Sequence, residues 1–178
     1  MLFHNQELIR PVPPRKLDPL DLKILAELQR DGRITNQLLS ERIGLSPRPC
    51  LERVRRLEAA GVISGYRAVI EIGQMPDLVH AFAEITLKSQ STQALAAFEH
   101  HLTDCAEVVE CFLVGGQFDY VAQMVCADLE RYNALTTAWL DDPAVGVARI
   151  TSRFVMKPVR RFAGYPLALL AKTAAQQN

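Results

Sequence analysis

Three glycines, Gly32, Gly44 and Gly61, each close a short segment whose apolar residues recur at helical spacing. Such punctuation permits three short helices joined by tight turns and excludes one long helix or a continuous sheet there. Asp18 stands where an N-cap belongs, Pro19 suits the first helical position, and Asp21 falls in the first turn, where negative charge is favoured. Leu20, Ile24 and Leu28, widened by Leu25, form the apolar stripe of this first helix. After Thr35, residues Leu38, Leu39 and Ile43 predict the buried side of a second, shorter helix, which Gly44 ends. Ser46 and Pro47 open a third helix as N-cap and first residue. Pro49 lies within its first turn, where a missing N–H does no harm. That helix is predicted to run to about Ala60, with Gly61 closing it.

Beyond Gly61 the period changes from helical to alternating. Residues 62–70 read as two short strands around Gly65, a small wing, followed by a linker strand that ends at a break over residues 73–77. The remainder reads β-α-β-β-α-β, with strands over 81–87, 108–114, 120–126 and 147–155 and helices over 94–102 and 129–140. Leu95, Phe98 and Leu102 mark the inner side of the first of these helices, and Leu129, Tyr132, Thr136 and Trp139 that of the second. Two strand–helix–strand units in this order predict a ferredoxin-like domain. The expected fold class is α+β, an N-terminal winged helix-turn-helix followed by a C-terminal ferredoxin-like βαββαβ domain. The predicted organisation is an arm over residues 1–16, a winged helix-turn-helix domain over 17–67, a linker strand over 68–77, a ferredoxin-like domain over 78–161, and a tail over 162–178. Within the tail, residues 167–175 suit a further helix.

Composition narrows the class. No apolar run reaches the roughly 18 residues that a membrane span needs, and the N-terminus lacks the basic-then-apolar pattern of a secretory signal. Cys50, Cys105, Cys111 and Cys126 show no paired spacing, which favours reduced thiols over a disulfide framework or a zinc site. A cytoplasmic protein without cofactor or metal is expected. The net charge of zero conceals an offset: residues 15–67 carry 11 Lys and Arg against 7 Asp and Glu, whereas residues 68–178 carry 8 against 12. A basic N-terminal third suits contact with a polyanion.

The third helix has the division of labour that groove recognition needs. On a helical wheel Cys50, Leu51, Val54 and Leu57 fall on one face, and Arg48, Glu52, Arg55 and Arg56 on the other, with Arg53 at the border. An arginine pairs bidentately with guanine O6 and N7, a contact worth ~1–3 kcal/mol of discrimination. The backbone around Ser46 and Pro47 lies at a helix start, where a phosphate is welcome. The candidate surface for double-stranded DNA is Arg33, Ser46, Pro47, Arg48, Glu52, Arg53, Arg55, Arg56 and Arg67.

A family resemblance rests on named motifs. Leu17-Asp18-Pro19-Leu20-Asp21, Asp31-Gly32-Arg33-Ile34, the run from Leu45-Ser46-Pro47 to Glu58, and Gly61-Val62-Ile63-Ser64-Gly65-Tyr66 closely resemble the DNA-binding motifs of the leucine-responsive/AsnC (Lrp/AsnC, feast/famine) family of transcription regulators. Gly116-Gln117-Phe118-Asp119-Tyr120 and Phe154-Val155-Met156 extend the resemblance, which covers residues 17–160. It implies homodimers made by pairing effector-domain sheets, commonly assembled into octamers. It also implies an amino acid or related small metabolite as effector, held by Gly115, Gly116, Gln117, Phe118, Asp119, Tyr120 and Ser152. The chain departs from the pattern at that site. The family's acid after the glycine is Gln117 here, and its two threonines on the last strand are Ile150 and Ser152. A tightly bound, simple leucine-like ligand is therefore not expected.

Two other functional classes stay open at this point. One is a DNA-organising protein with no effector. The other is an enzyme like the sirohaem decarboxylases, which resemble the family in both domains; His80 is the only histidine on the effector strands to serve it. His100 and His101 are neighbours on a helix, about 100° apart, and cannot chelate one ion together. Cys50, on the apolar face, reads as core.

Overall fold

In the computed structural model, residues 17–75 and 78–167 are described. The expected N-terminal arm and most of the expected C-terminal helix lie outside them. The chain divides into two compact units. Of the described residues, one unit comprises those up to Val69 with those from Arg160 onward, and the other those between Ile70 and Val159.

The first unit is built on α1 (Pro19–Arg30), α2 (Asn36–Ile43) and α3 (Pro47–Ala59). Each start is set locally. Asp18 and Asp21 form a reciprocal capping box on α1. Thr35 Oγ1 accepts the Leu38 N–H at 3.2 Å to begin α2, and Gly44, at φ 75°, supplies the left-handed residue that ends it. Ser46 occupies the N-cap of α3 but makes no side-chain cap hydrogen bond. The second and third helical N–H groups are the usual targets, and Pro49 removes the third.

Ile24, Leu39, Ile43, Cys50 and Leu57 form the buried centre, with Leu25, Leu28, Val54 and Ile63 packed around it. Leu38 and Leu51 were expected inside but stand 40% and 36% exposed. Each is the immediate neighbour of a core position, Leu39 or Cys50, and lies about 100° round the helix from it, toward solvent. The strands expected in the wing and linker segment are corrected: none is assigned between α3 and the next unit's first strand among the described residues, and only a single 3₁₀ turn, Ile72–Gln74, interrupts the irregular path. Every side chain from Ser64 to Ile70 is exposed, so the alternating pattern has no face to bury, and a two-stranded ribbon alone is marginal. The segment is anchored by Tyr66, whose hydroxyl donates to Glu58 Oε1 at 2.9 Å. Burial and Glu58 together push that phenol up to about 12.

The chain returns to this unit at its C-terminal side. Tyr165 N–H donates to Gln29 Oε1 at 2.6 Å, and Gln29 Nε2 donates to the Tyr165 carbonyl at 3.2 Å. Gly164, at φ 107°, is needed there, because a Cβ would lie 2.9 Å from the Gln29 amide.

The second unit has the expected order β1 (Val79–Leu87), α4 (Thr92–Leu102), β2 (Val108–Leu113), β3 (Tyr120–Cys126), α5 (Leu129–Asp141) and β4 (Val147–Phe154). Its sheet is antiparallel in the order β2-β3-β1-β4, the ferredoxin-like arrangement. Alternation sends Ala81, Ala83, Ile85, Tyr120, Ala122 and Met124 inward against Phe98, Tyr132 and Trp139 of the helices. Leu129, expected on the inner side of α5, is half exposed at its first position. The opposite sheet face carries exposed Phe82 and Phe112 and the Glu84–Arg153 ion pair, at 2.6 and 3.0 Å.

Candidate DNA interface and effector cleft

The third helix separates its two faces by burial. Cys50 and Leu57 are fully buried, while Arg48, Glu52 and Arg55 are exposed. Arg48 Nε donates to Glu52 Oε1 at 3.3 Å between side chains that are largely in solvent. A pair of this kind is worth ~0–1 kcal/mol and is readily exchanged for a phosphate or base. Arg33 and Arg67 are also exposed. Ser46 and Pro47 sit exposed at the helix start, with the Ser46 hydroxyl unused by the cap. The Asn36 amide nitrogen, not singled out by the sequence pattern, donates to the Pro47 carbonyl at 2.8 Å and ties the start of α2 to that of α3.

Arg53 and Arg56 are placed differently. Arg53 Nη1 donates to Asp21 Oδ1 at 2.8 Å and also to Asp18 Oδ2. Arg56 Nη2 donates to the same Asp21 oxygen at 2.7 Å. Burial would raise the Asp18 carboxyl, but hydrogen bonds from Arg53 and the Asp21 N–H outweigh it and hold the group below the usual carboxylate value. Asp21 is buried. Its part in this cluster is absent from the helical wheel of α3, because the wheel shows no residue of another helix.

In the second unit the turn between β2 and β3 borders an open cleft of about 590 Å³ lined by Gln90, Leu95, Leu113, Val114, Gly115, Gly116, Phe118 and Asp119. The turn is closed by Val114 N–H to the Asp119 carbonyl at 2.8 Å and Asp119 N–H to the Ile85 carbonyl at 2.9 Å. Gly116 has φ 139°, and a Cβ on Gly115 or Gly116 would meet nothing within 4 Å. The backbone is thus open on that side. The Asp119 carboxylate is buried and engaged at both oxygens: Oδ2 accepts the Leu87 N–H at 2.8 Å, and Oδ1 accepts Gln90 Nε2 at 2.7 Å. Tyr120 points inward, its hydroxyl donating to Glu99 Oε1 at 2.8 Å; burial and then Glu99 raise its pKa. Gln117 is exposed. Ser152 lies on β4, across β1 from β3, and its Oγ accepts the Tyr132 hydroxyl at 2.6 Å. It does not line the cleft. The four cysteines are free, and burial raises all four thiols, Cys111 to about 11.

A helix-turn-helix unit with an arginine-bearing third helix, joined to a ferredoxin-like domain with an open turn, defines a DNA-binding transcription regulator with a ligand-binding domain. Residues 17–64 match the winged helix-turn-helix DNA-binding model, and residues 80–164 match the Lrp/AsnC ligand binding domain. Relatives agree. The chain is 43% identical over 146 residues to transcriptional regulatory protein DoeX of Halomonas elongata, covering 82% of this chain and 92% of that protein. It is 44% identical over 123 residues to the leucine-responsive regulatory protein of Escherichia coli, covering 69% and 75%. Among solved structures, a transcriptional regulator from Neisseria meningitidis in complex with L-Met superimposes with a TM-score of 0.76 at 34% identity, over 87% of this chain and 99% of that one. The chain belongs to the Lrp/AsnC family of DNA-binding transcription regulators.

Proposed function

We propose that the protein is a cytoplasmic regulator, not an enzyme, that binds its operators as a homodimer or larger ring. On this reading the exposed side of α3, with Arg48, Glu52 and Arg55, meets base edges and phosphates. Ser46, Pro47, Arg33 and Arg67 add backbone contacts around it. The observation that carries the reading is the contrast across α3, between fully buried Cys50 and Leu57 and the exposed arginines. Among the described residues, no helix is long and apolar enough to cross a membrane. The open sheet face, with Phe82 and Phe112, suits self-association.

The effector reading is narrower than the family's. A ligand at the turn approaches the N–H groups around Gly115 and Gly116, which suit a carboxylate, and packs on Leu95, Leu113 and Phe118. Asp119 already satisfies a backbone N–H and Gln90, and Gln117 carries no charge, so little is left to grip an ammonium. An amino-acid-related metabolite that is larger, more apolar or without a free ammonium fits best. Ser152 lies on β4, two strands over from β3, and does not line that cleft, so on this reading it meets the ligand from a neighbouring copy. The decisive measurement is operator selection from a random duplex pool, then titration of the selected complex with amino acids and their derivatives. Sequence-selective binding released or tightened by a derivative supports the proposal. Binding without sequence preference overturns it, and selective binding that no ligand shifts favours a DNA-organising role without effector.

A further inference from the structure

Two arginines that the amphipathic pattern assigns to DNA spend their guanidinium groups on carboxylates of another helix of the same protein. Arg53 and Arg56, one helical turn apart on α3, converge on a single oxygen of Asp21, at 2.8 and 2.7 Å. Arg53 also reaches Asp18. The same two carboxylates are the capping box of α1: Asp18 Oδ1 accepts the Asp21 N–H at 2.8 Å, and Asp21 Oδ2 accepts the Asp18 N–H at 3.3 Å. The cap of one helix is therefore the clamp on another. With two carboxylates and two guanidiniums the cluster is balanced in charge and presents no net attraction to a polyanion.

We propose that Asp18 and Asp21 are positioning residues for DNA recognition, acting through Arg53 and Arg56 to set the rotation of α3, and that neither arginine contacts DNA. Apart from the Asn36 hydrogen bond to the Pro47 carbonyl at its first residue, the remaining contacts that seat this helix, through Cys50, Val54 and Leu57, are apolar. Apolar packing is non-directional and tolerates slippage about the helix axis. Charge-assisted hydrogen bonds at two positions a turn apart do not. The rotation they fix decides where Arg48, Glu52 and Arg55 point. Drawing either arginine away to a phosphate would strip a partner from Asp21, which is only 4% exposed. A buried carboxylate that gives up one of its two guanidinium partners loses more than a surface phosphate contact returns.

The inference rests on the DNA-facing surface proposed above, and the test separates the two. Full-length Asp21→Asn, Arg56→Gln, Arg53→Lys and Arg55→Gln are each checked for cooperative melting. They are then titrated with the selected operator and a scrambled duplex across a salt series. Arg55→Gln is expected to lower the slope of log affinity against log salt by about one, as loss of a phosphate contact does. Asp21→Asn and Arg56→Gln are expected to weaken operator binding by about tenfold or more, the size of one lost base contact, with the salt slope and scrambled-duplex binding unchanged. Arg53→Lys keeps the charge but loses the fork, and is expected to fall between. A merely structural role would lower the melting temperature without moving the operator-to-scrambled ratio. That result overturns the proposal. So does a slope in Arg56→Gln that drops as in Arg55→Gln, or an Asp21→Asn that binds both duplexes more tightly, since freed arginines would then be finding phosphates. If Asp21→Asn does not fold, Arg53→Lys and Arg56→Gln decide the question alone. An unchanged slope in Arg55→Gln counts against the surface and not against the clamp.

Discussion

The two units hold themselves together by different means. Among the described residues, the three-helix unit buries six hydrophobics, none aromatic, whereas the ferredoxin-like unit buries fourteen, including Phe98, Tyr120, Tyr132 and Trp139. In the second unit large rings interlock, Phe98 with Tyr120 at 4.8 Å and edge-on to Trp139 at 6.3 Å. Its charged pairs, Glu84–Arg153 on the open sheet face and Glu107–Arg131 beside α5, both keep the arginine more than half exposed. In the first unit the charged groups lie between helices, and Asp21 is as buried as the core leucines. The comparison teaches that a small unit short of apolar area recruits directional polar contacts to specify its geometry, and so becomes answerable to pH and salt. The larger unit is answerable chiefly to side-chain volume.

Four substitutions test this contrast, from the largest expected effect to the smallest. Trp139→Ala removes the central ring of the larger core and is expected to cost ~3–5 kcal/mol in denaturant unfolding. A loss below 1 kcal/mol would show that the ring stack is not what holds that unit. Asp21→Ala leaves two guanidiniums without their shared acceptor. Because Arg56 is nearly half exposed and can rehydrate, the expected loss is about 1–3 kcal/mol, confined to the unfolding transition of the helical unit. This contribution is pH-dependent through Asp18. Its folded pKa lies below the unfolded value, so its share of stability is present above about pH 4 and is lost as pH falls through the folded value. Asp18→Asn is therefore expected to melt below wild type at pH 7, with the gap closing in acid; a gap that widens in acid would reverse the sign of the linkage. Arg153→Ala, on the open sheet face, is expected to leave the melting temperature of the isolated chain unchanged. A clear drop would place that pair among the stabilising contacts.

Local signals in the sequence were sufficient for the helices and strands. Asp18, Thr35, Ser91 and Asp128 cap within three residues of themselves, and each lies at the foot of a periodic apolar stripe. The two strands expected around Gly65 do not form, because alternation there resembles a hairpin, yet a hairpin needs a surface to cover and none is supplied. The roles of Arg53 and Asp119 could not be read for a different reason. Arg53 meets Asp21 across 32 residues, and Asp119 meets the Leu87 N–H across 32 residues. Each looks like a free charge beside its own neighbours and is seen to be engaged only once two elements are brought together. Ser46 is intermediate: its position at the helix start was evident, but the idle hydroxyl follows only from Pro49 removing the donor three residues on.

The return of Tyr165 to Gln29 has a consequence for how the polypeptide is made. The two residues are separated by 136 positions. A ribosome releases the three helices long before it has synthesised the glycine turn that closes on α1. The N-terminal unit thus acquires its helices early and this last contact late, after the whole intervening unit has left the tunnel. A bulky fusion placed directly after residue 167, or a chain stopped before Gly164, would leave Gln29 without that contact, and so alter the N-terminal unit from the far end of the polypeptide.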